Sequence, residues 1–388
     1  FFEDLSRPIS KPTTEAVANG PADAFNEDIR TNIALVRKRI RSTRLALEKF
    51  ELGEVTKTEA YLAYLKGYAR RELVEEVSRR LRRIKTDGVT GSQQVLEYID
   101  DNPYSPFETY IATERPDVMA ANLLEGRVGL IFDNTPFALV LPITLAGQMQ
   151  SSEDYYNRFW YASFIRLLRW AALLLALILP SAYIAITTYH QELIPTTLLI
   201  SIINSREGVP FPGFLEALIM EIVFELLREA GIRLPRPFGQ TISIVGAVVV
   251  GQAAVSASLV SPAMVVVVAL TAICSYTIPG YSLANTVRVL RFPLMVMAAI
   301  FGLYGVMAGF SVLLVHLSTL RSFGVPYLSP LAPLSLGELK DTLVRAPAWM
   351  MNLRPRLAGY IEPQRQHADL KPRPPRPGRD ARGKGGEG

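Results

Sequence analysis

The sequence predicts a mixed, two-part chain: a soluble α/β domain followed by an all-α polytopic membrane domain. Three observations carry that prediction. Of 388 residues, 49% are hydrophobic and mean hydropathy is +0.20, an excess confined to the second half. Three runs there, Trp170–Tyr189, the stretch between Arg236 and Arg288, and Phe292–Val315, hold no Asp, Glu, Lys, Arg or His. Residues 1–160 are charged throughout. A helix needs roughly 20 apolar residues to cross the hydrocarbon core, so the central run has room for two spans and the others for one each. The boundaries fall at 1–160, 161–330 and 331–388.

The first 22 residues, with Pro8, Pro12, Gly20 and Pro21, predict an irregular segment. Apolar spacing near 3.6 from Ile29 to Leu47 predicts a helix over 24–49. Lys57–Leu65 reads as a strand, Arg70–Ile84 as an amphipathic helix and Ser92–Ile99 as a short helix. Val128–Phe132 and Phe137–Leu141 are β-rich runs joined by a turn at Asp133–Pro136. Alternating helices and strands leave α/β and α+β orders both open. The basic runs Arg37–Arg44 and Arg79–Lys85 read as solvated helix faces, with lipid or subunit contact as the sharper reading.

Arg158, Arg166 and Arg169 precede or open the first span, about Ile165–Tyr189 with Pro180 inside it. Basic residues there place the soluble domain on the cytoplasmic side. Leu193–Asn204 is too short to cross. Gln240–Val260, Ala263–Pro279 and Phe292–Leu317 are read as further spans, with Gly246, Gly251, Gly302, Gly305 and Gly309 allowing close helix approach. Beyond Arg365 the Pro-, Arg- and Gly-rich composition predicts a disordered basic tail. The net charge of +5 is accounted for by cytoplasmic Lys and Arg rather than by nucleic-acid binding.

Chemistry-bearing constellations are scarce. Cys274 is the single cysteine and three histidines are scattered, so neither a disulfide nor a zinc site is expected. No nucleophile–base pair, phosphate loop or cofactor fingerprint stands out, and Gly239–Gly251 lacks the strand–turn–helix setting of a dinucleotide site. The expectation is a non-enzyme with neither cofactor nor metal. Within the amphipathic stretch Phe211–Ala230, Glu221, Glu225 and Glu229 fall about 140°, 180° and 220° from Glu216 at about 100° per residue, beside Arg228. Glu216, Glu221, Glu225 and Arg228 are therefore candidates for a hydrated ion path, for subunit packing, or for a solvated interfacial face. Glu114, Arg115, Asp117, Glu153 and Asp154 are candidate switch contacts or structural pairs.

Several blocks, in order along nearly the whole chain, are similar to one family. They are Phe2–Ile9, Phe25–Asp28, Thr113–Asp117, Leu123–Val128, Glu153–Tyr156, Arg206–Pro212, and Glu221 with Phe224–Gly231 and Arg233–Pro235. The chain resembles the A subunits of the GerA spore-germination family, with the stage-V sporulation homologue as a rival. That family carries more sequence upstream, and the start at Phe1 suggests that part of the soluble domain is missing here. Asp133–Asn134 stands where the family has Asp-Gly. The resemblance implies a nutrient-receptor subunit in the inner membrane of the spore. It implies a transporter-like B subunit and a C lipoprotein as partners, and oligomerisation into a signal-gated cation channel in contact with membrane lipids. A secondary transporter and a non-conducting scaffold are the alternatives; internal repeats, which mark transporters, are not seen.

Overall fold

The computed structural model describes residues 11–12, 14–15, 17–234, 249–355, 362–367 and 370–372. The charged first part folds around a five-stranded sheet in the order β1-β2-β4-β5-β3. The strands are β1 (Leu45–Leu52), β2 (Thr58–Leu65), β3 (Ile111–Thr113), β4 (Val128–Phe132) and β5 (Ala138–Leu141). Every pairing is antiparallel, which corrects the α/β expectation to α+β. Helices α2 (Arg71–Arg83) and α3 (Ser92–Ile99) cover one face, while α1 (Ile29–Arg39) and α4 (Pro116–Leu124) cover the other.

Because β4 lies in the middle of this three-layer stack, it is buried on both sides and reads as a continuous apolar run. Val128, Leu130 and Phe132 pack under α2 and α3, whereas Ile131 packs under α1 and α4. Gly129 between them leaves room for the Met119 side chain, which a Cβ would strike. The turn from β4 to β5 forms as expected. Asn134 takes φ +63° there, the left-handed region that Asn tolerates best after Gly.

The single helix expected over 24–49 is not found. Asp28 caps α1, accepting from the Arg30 and Thr31 backbone amides, and the helix stops at Arg39. Leu45–Leu52 instead pairs residue by residue with β2, from Leu45↔Leu65 to Leu52↔Thr58. Leu47 is in phase with the helix by coincidence, and the cross-strand ladder overrides that local pattern.

The second part is helical: α5 (Leu145–Gln148), α6 (Glu153–Tyr156), α7 (Phe159–Tyr189), α8 (Thr196–Arg206), α9 (Gly213–Arg233), α10 (helical over 249–256), α11 (Pro262–Tyr276) and α12 (Tyr281–Thr319). Among the described residues, α7 and α12 are long and apolar enough to cross a membrane, while α11 at 15 residues is shorter. The expected span Gln240–Val260 lies outside the described residues up to 248, and its described part from 249 to 256 is helical.

The expected span Phe292–Leu317 needs correction, because Gly302 interrupts α12 at φ 62°, ψ −141°. The two arms fold back on each other. A Cβ on Gly305 would collide with the Met297 carbonyl, and one on Gly309 would lie 2.6 Å from Leu294. Leu283 and Leu317, at opposite ends of the helix, share one apolar cluster. The two arms, 281–301 and 303–319, are therefore about 30 Å and 25 Å long by helix rise. Gly302 is the point where the chain reverses, and Gly305 and Gly309 are the packing residues that let the arms touch.

Both ends of this hairpin return to the sheet domain. His316 Nε2 lies 3.0 Å from the Ser105 hydroxyl, and the Thr286 hydroxyl donates to the Pro106 carbonyl. Its tip meets the far end of α7, where the Tyr189 hydroxyl donates to the Ala299 carbonyl at 2.6 Å. Residues after α12 pack on the sheet domain: Ser322 Oγ donates to Thr109 O at 2.8 Å and Arg354 Nε to Leu124 O at 2.9 Å. The segment after the last helix thus lies on the same side as the N-terminal domain.

Candidate functional site: a charged junction and an ion-pair ladder

Two sets of buried charges connect the parts. The first sits where the sheet domain meets α7. Arg166 and Arg169, three residues apart, share one face of α7 and converge on Asp154 of α6, at 2.8 Å from Arg166 Nε and 2.8 Å from Arg169 Nη1. Arg166 Nη1 also donates to the Asp341 carboxylate at 2.8 Å and to its backbone carbonyl at 2.6 Å. Two guanidinium and two carboxylate charges cancel, which makes the burial tolerable: Asp154 is 2% exposed and Arg166 1%. The Tyr155 hydroxyl donates to Asp341 at 2.9 Å while its ring lies under the Arg166 guanidinium.

The same short helix reaches the sheet domain through its next residue. The Tyr156 hydroxyl donates to Asp117 Oδ2 at 2.8 Å, and burial plus that carboxylate push the phenol up to about 12. Arg115 holds Asp117 through Nε at 3.1 Å and Nη2 at 2.8 Å, and Nη2 also donates to Pro21 O. Residues 14–15 and 17–21 bridge both blocks: Ala18 N donates to Glu153 Oε1 at 2.7 Å and Thr14 N to Glu114 Oε2 at 3.4 Å. Gly20, at φ +130°, lies flat on the Tyr156 ring, where a Cβ would be 2.8 Å away. Glu114, Arg115, Asp117, Glu153 and Asp154 therefore belong to one continuous layer of contacts from the N-terminal segment to α7.

The second set runs along α9. Glu216 pairs with Arg206 of α8 at 3.0 Å and accepts from Ser261 N at 2.9 Å. Glu221 pairs with Arg291 of α12. Glu225 takes Arg228 at 2.8 Å and Arg288 at 3.6 Å. Glu216 and Glu221 are 0% exposed, so the Glu216 face and the start of the Glu221–Glu225–Glu229 stripe both point into the bundle; Glu229 is on the exposed side. Each carboxylate has a guanidinium from within the chain. Three partners were not singled out from the sequence as site residues: Arg206, Arg288 and Arg291. The last two were legible in principle, because a charged pair three residues apart at the edge of a long charge-free run needs an acidic partner. Asp341 sits in a stretch with no such signal.

Thr113 is fully buried and donates to Glu15 Oε2 at 2.6 Å, so a cysteine placed there would escape a thiol reagent on either side of a membrane. It cannot report on sidedness.

Residues 3–357 match the family model described as Bacillus/Clostridium GerA spore germination protein. The chain belongs to the GerA family. Among GerA-family relatives in Bacillus subtilis (strain 168), it is 50% identical over 349 residues to the uncharacterized membrane protein YfkQ, spanning 90% of this chain and 68% of the relative. It is 46% identical over 368 residues to spore germination protein KA, covering 95% of this chain and 68% of the other. To spore germination protein A1 it is 46% identical over 342 residues, covering 88% and 71%. A solved N-terminal domain from the A subunit of the Bacillus megaterium germinant receptor GerK3 is 45% identical over 30% of this chain and 93% of that domain. Its TM-score of 0.26 leaves the fold to be read from the present structure alone.

Proposed function

We propose that this GerA-family chain is the membrane-spanning A subunit of a nutrient germinant receptor in the inner membrane of the spore. Its soluble domain and the segment after α12 face the cytoplasm. It works with a transporter-like B subunit and a C lipoprotein, and copies of it assemble into a cation channel that opens when nutrient binds elsewhere in the complex. Names of relatives support the receptor reading, and the exposed apolar side chains of α12, such as Ile300, Phe301, Met307 and Val312, support a lipid-facing surface.

One observation carries the signalling part: the Asp154 cluster ties the sheet domain, α7 and the C-terminal segment through buried charges. A displacement of α6 by a partner subunit must therefore move α7 or separate the charges, which is costly in a dry interior. Within this design Glu216, Glu221, Glu225 and Arg228 serve first as the pairs that seat α9 in the bundle. The purified full-length protein in liposomes tests conduction. Ohmic cation current is expected; current saturating with a solute gradient would indicate a transporter, and silence in the presence of B, C and nutrient would indicate a scaffold.

A further inference from the structure

A cavity of about 300 Å³ opens between the C-terminal half of α9 and the first turns of α12. Its charged wall is Glu225, Arg228 and Arg288, with the Tyr281 hydroxyl and the Asn285 amide beside them. Depth is fixed by the neighbouring residues. Gly280 packs against the Gln148 carbonyl and Thr286 bonds to Pro106, so the cavity lies at the sheet-domain end of the bundle, where a bilayer would place its headgroups.

Its charges do not balance. Glu229, also on the wall, is bonded to Arg233 at 2.7 Å. That leaves two guanidinium groups, Arg228 and Arg288, against the single carboxylate of Glu225, a surplus of one positive charge. Arg288 is 5% exposed, and its Nε has no hydrogen-bond acceptor, lying 3.6 Å from Glu225. A buried cation of this kind calls for one more negative charge with acceptor oxygens. Val289 and Phe292 line the same cavity, and Val289 is 63% exposed, so an apolar way out leads to the flank of the helix pair.

We infer that this cavity binds the phosphodiester headgroup of an anionic phospholipid, its single negative charge completing the Arg228–Glu225–Arg288 set and its acyl chains lying along Val289 and Phe292. The inference rests on the membrane placement of the chain and not on receptor or channel activity. A phosphodiester supplies two unesterified oxygens for two guanidinium forks, and basic pockets between membrane helices at the cytoplasmic side suit such groups.

The test uses the full-length protein, delipidated in a neutral detergent, with phosphatidylglycerol, phosphatidylcholine and glycerol phosphate as probes. Native mass spectrometry and thermal shift read binding. Phosphatidylglycerol should bind and raise the melting temperature, whereas phosphatidylcholine, carrying its own cation, should do so far less. Arg228→Gln should weaken phosphatidylglycerol about fivefold. Glu225→Gln raises the surplus and should strengthen it, a direction that a merely damaged fold would not give. Equal protection by glycerol phosphate would overturn the lipid assignment in favour of a free-anion site. Binding unchanged by both substitutions would overturn the site.

Discussion

Arg291 donates from Nε to the Ala176 carbonyl at 2.9 Å, the carbonyl that Pro180, four residues later in α7 and lacking an N–H, leaves without a helical partner. The same guanidinium pairs with Glu221 through Nη1. Arg291 thus joins α7, α9 and α12 at one buried point, and Pro180 creates the vacancy that receives it.

Removing one member of this set should be worse than removing both. Arg291→Met leaves Glu221 buried without its partner and should cost about 3–5 kcal/mol. Glu221→Leu combined with Arg291→Met should recover much of that loss, as shape-matched apolar replacements of buried pairs do. Thermal unfolding of the purified protein in detergent, with the two single variants and the double, gives the comparison.

The α12 hairpin depends on its glycines. Gly302→Ala places a Cβ at φ 62°, ψ −141°, a region open essentially to glycine, and should cost about 1–3 kcal/mol. Gly309→Ala should cost about 1–3 kcal/mol by crowding Leu294. Distances between spin labels at the exposed Val289 and Val315, each thirteen residues from Gly302, would show whether the arms are folded: a separation well under the roughly 39 Å of a straight helix is expected.

Much of the sheet domain was legible because its signals are local. The β4–β5 hairpin, α2 and α3 follow from period and turn chemistry. The end of α1 and the existence of β1 were not, since Leu45–Leu52 is fixed by β2, a partner whose pairing no local pattern announces. In the bundle, the spacing of Glu221, Glu225 and Glu229 placed them on one stripe, with Glu216 on another face, but could not tell a wet face from a dry one. The arginines opposite them decide that, and they come from α8 and α12. The reversal at Gly302 was hidden for a similar reason: a charge-free run looks alike whether it crosses once or folds into two arms.

Glu15 makes the N-terminal segment sensitive to pH. Burial raises its carboxyl to about 7 from a usual value of 4.5, against the opposing pull of the Thr113 hydroxyl and Arg115, with Glu114 adding to the rise. The docked state therefore holds its proton where the undocked state has lost it, and docking should weaken as pH rises from about 4.5 to about 7, then level off. Hydrogen exchange in residues 14–21 should quicken across that window, and Glu15→Gln should abolish the dependence.

Sidedness is best probed at Tyr104, which is fully exposed. With Cys274 replaced by Ser, Tyr104→Cys should escape an impermeant thiol reagent in intact cells and react after permeabilisation. Labelling in intact cells would place the sheet domain outside.

The most direct test of signalling through the junction is potassium release from spores that carry Asp154→Asn in this subunit with its B and C partners intact. Asp154→Asn removes the charge shared by Arg166 and Arg169 and loosens the tie between the sheet domain and α7. With subunit levels verified by immunoblot, release after nutrient should be slowed at least tenfold, the loss expected when about 1.4 kcal/mol of coupling is removed. Release at the wild-type rate and normal protein level would contradict the proposed role of the Asp154 junction.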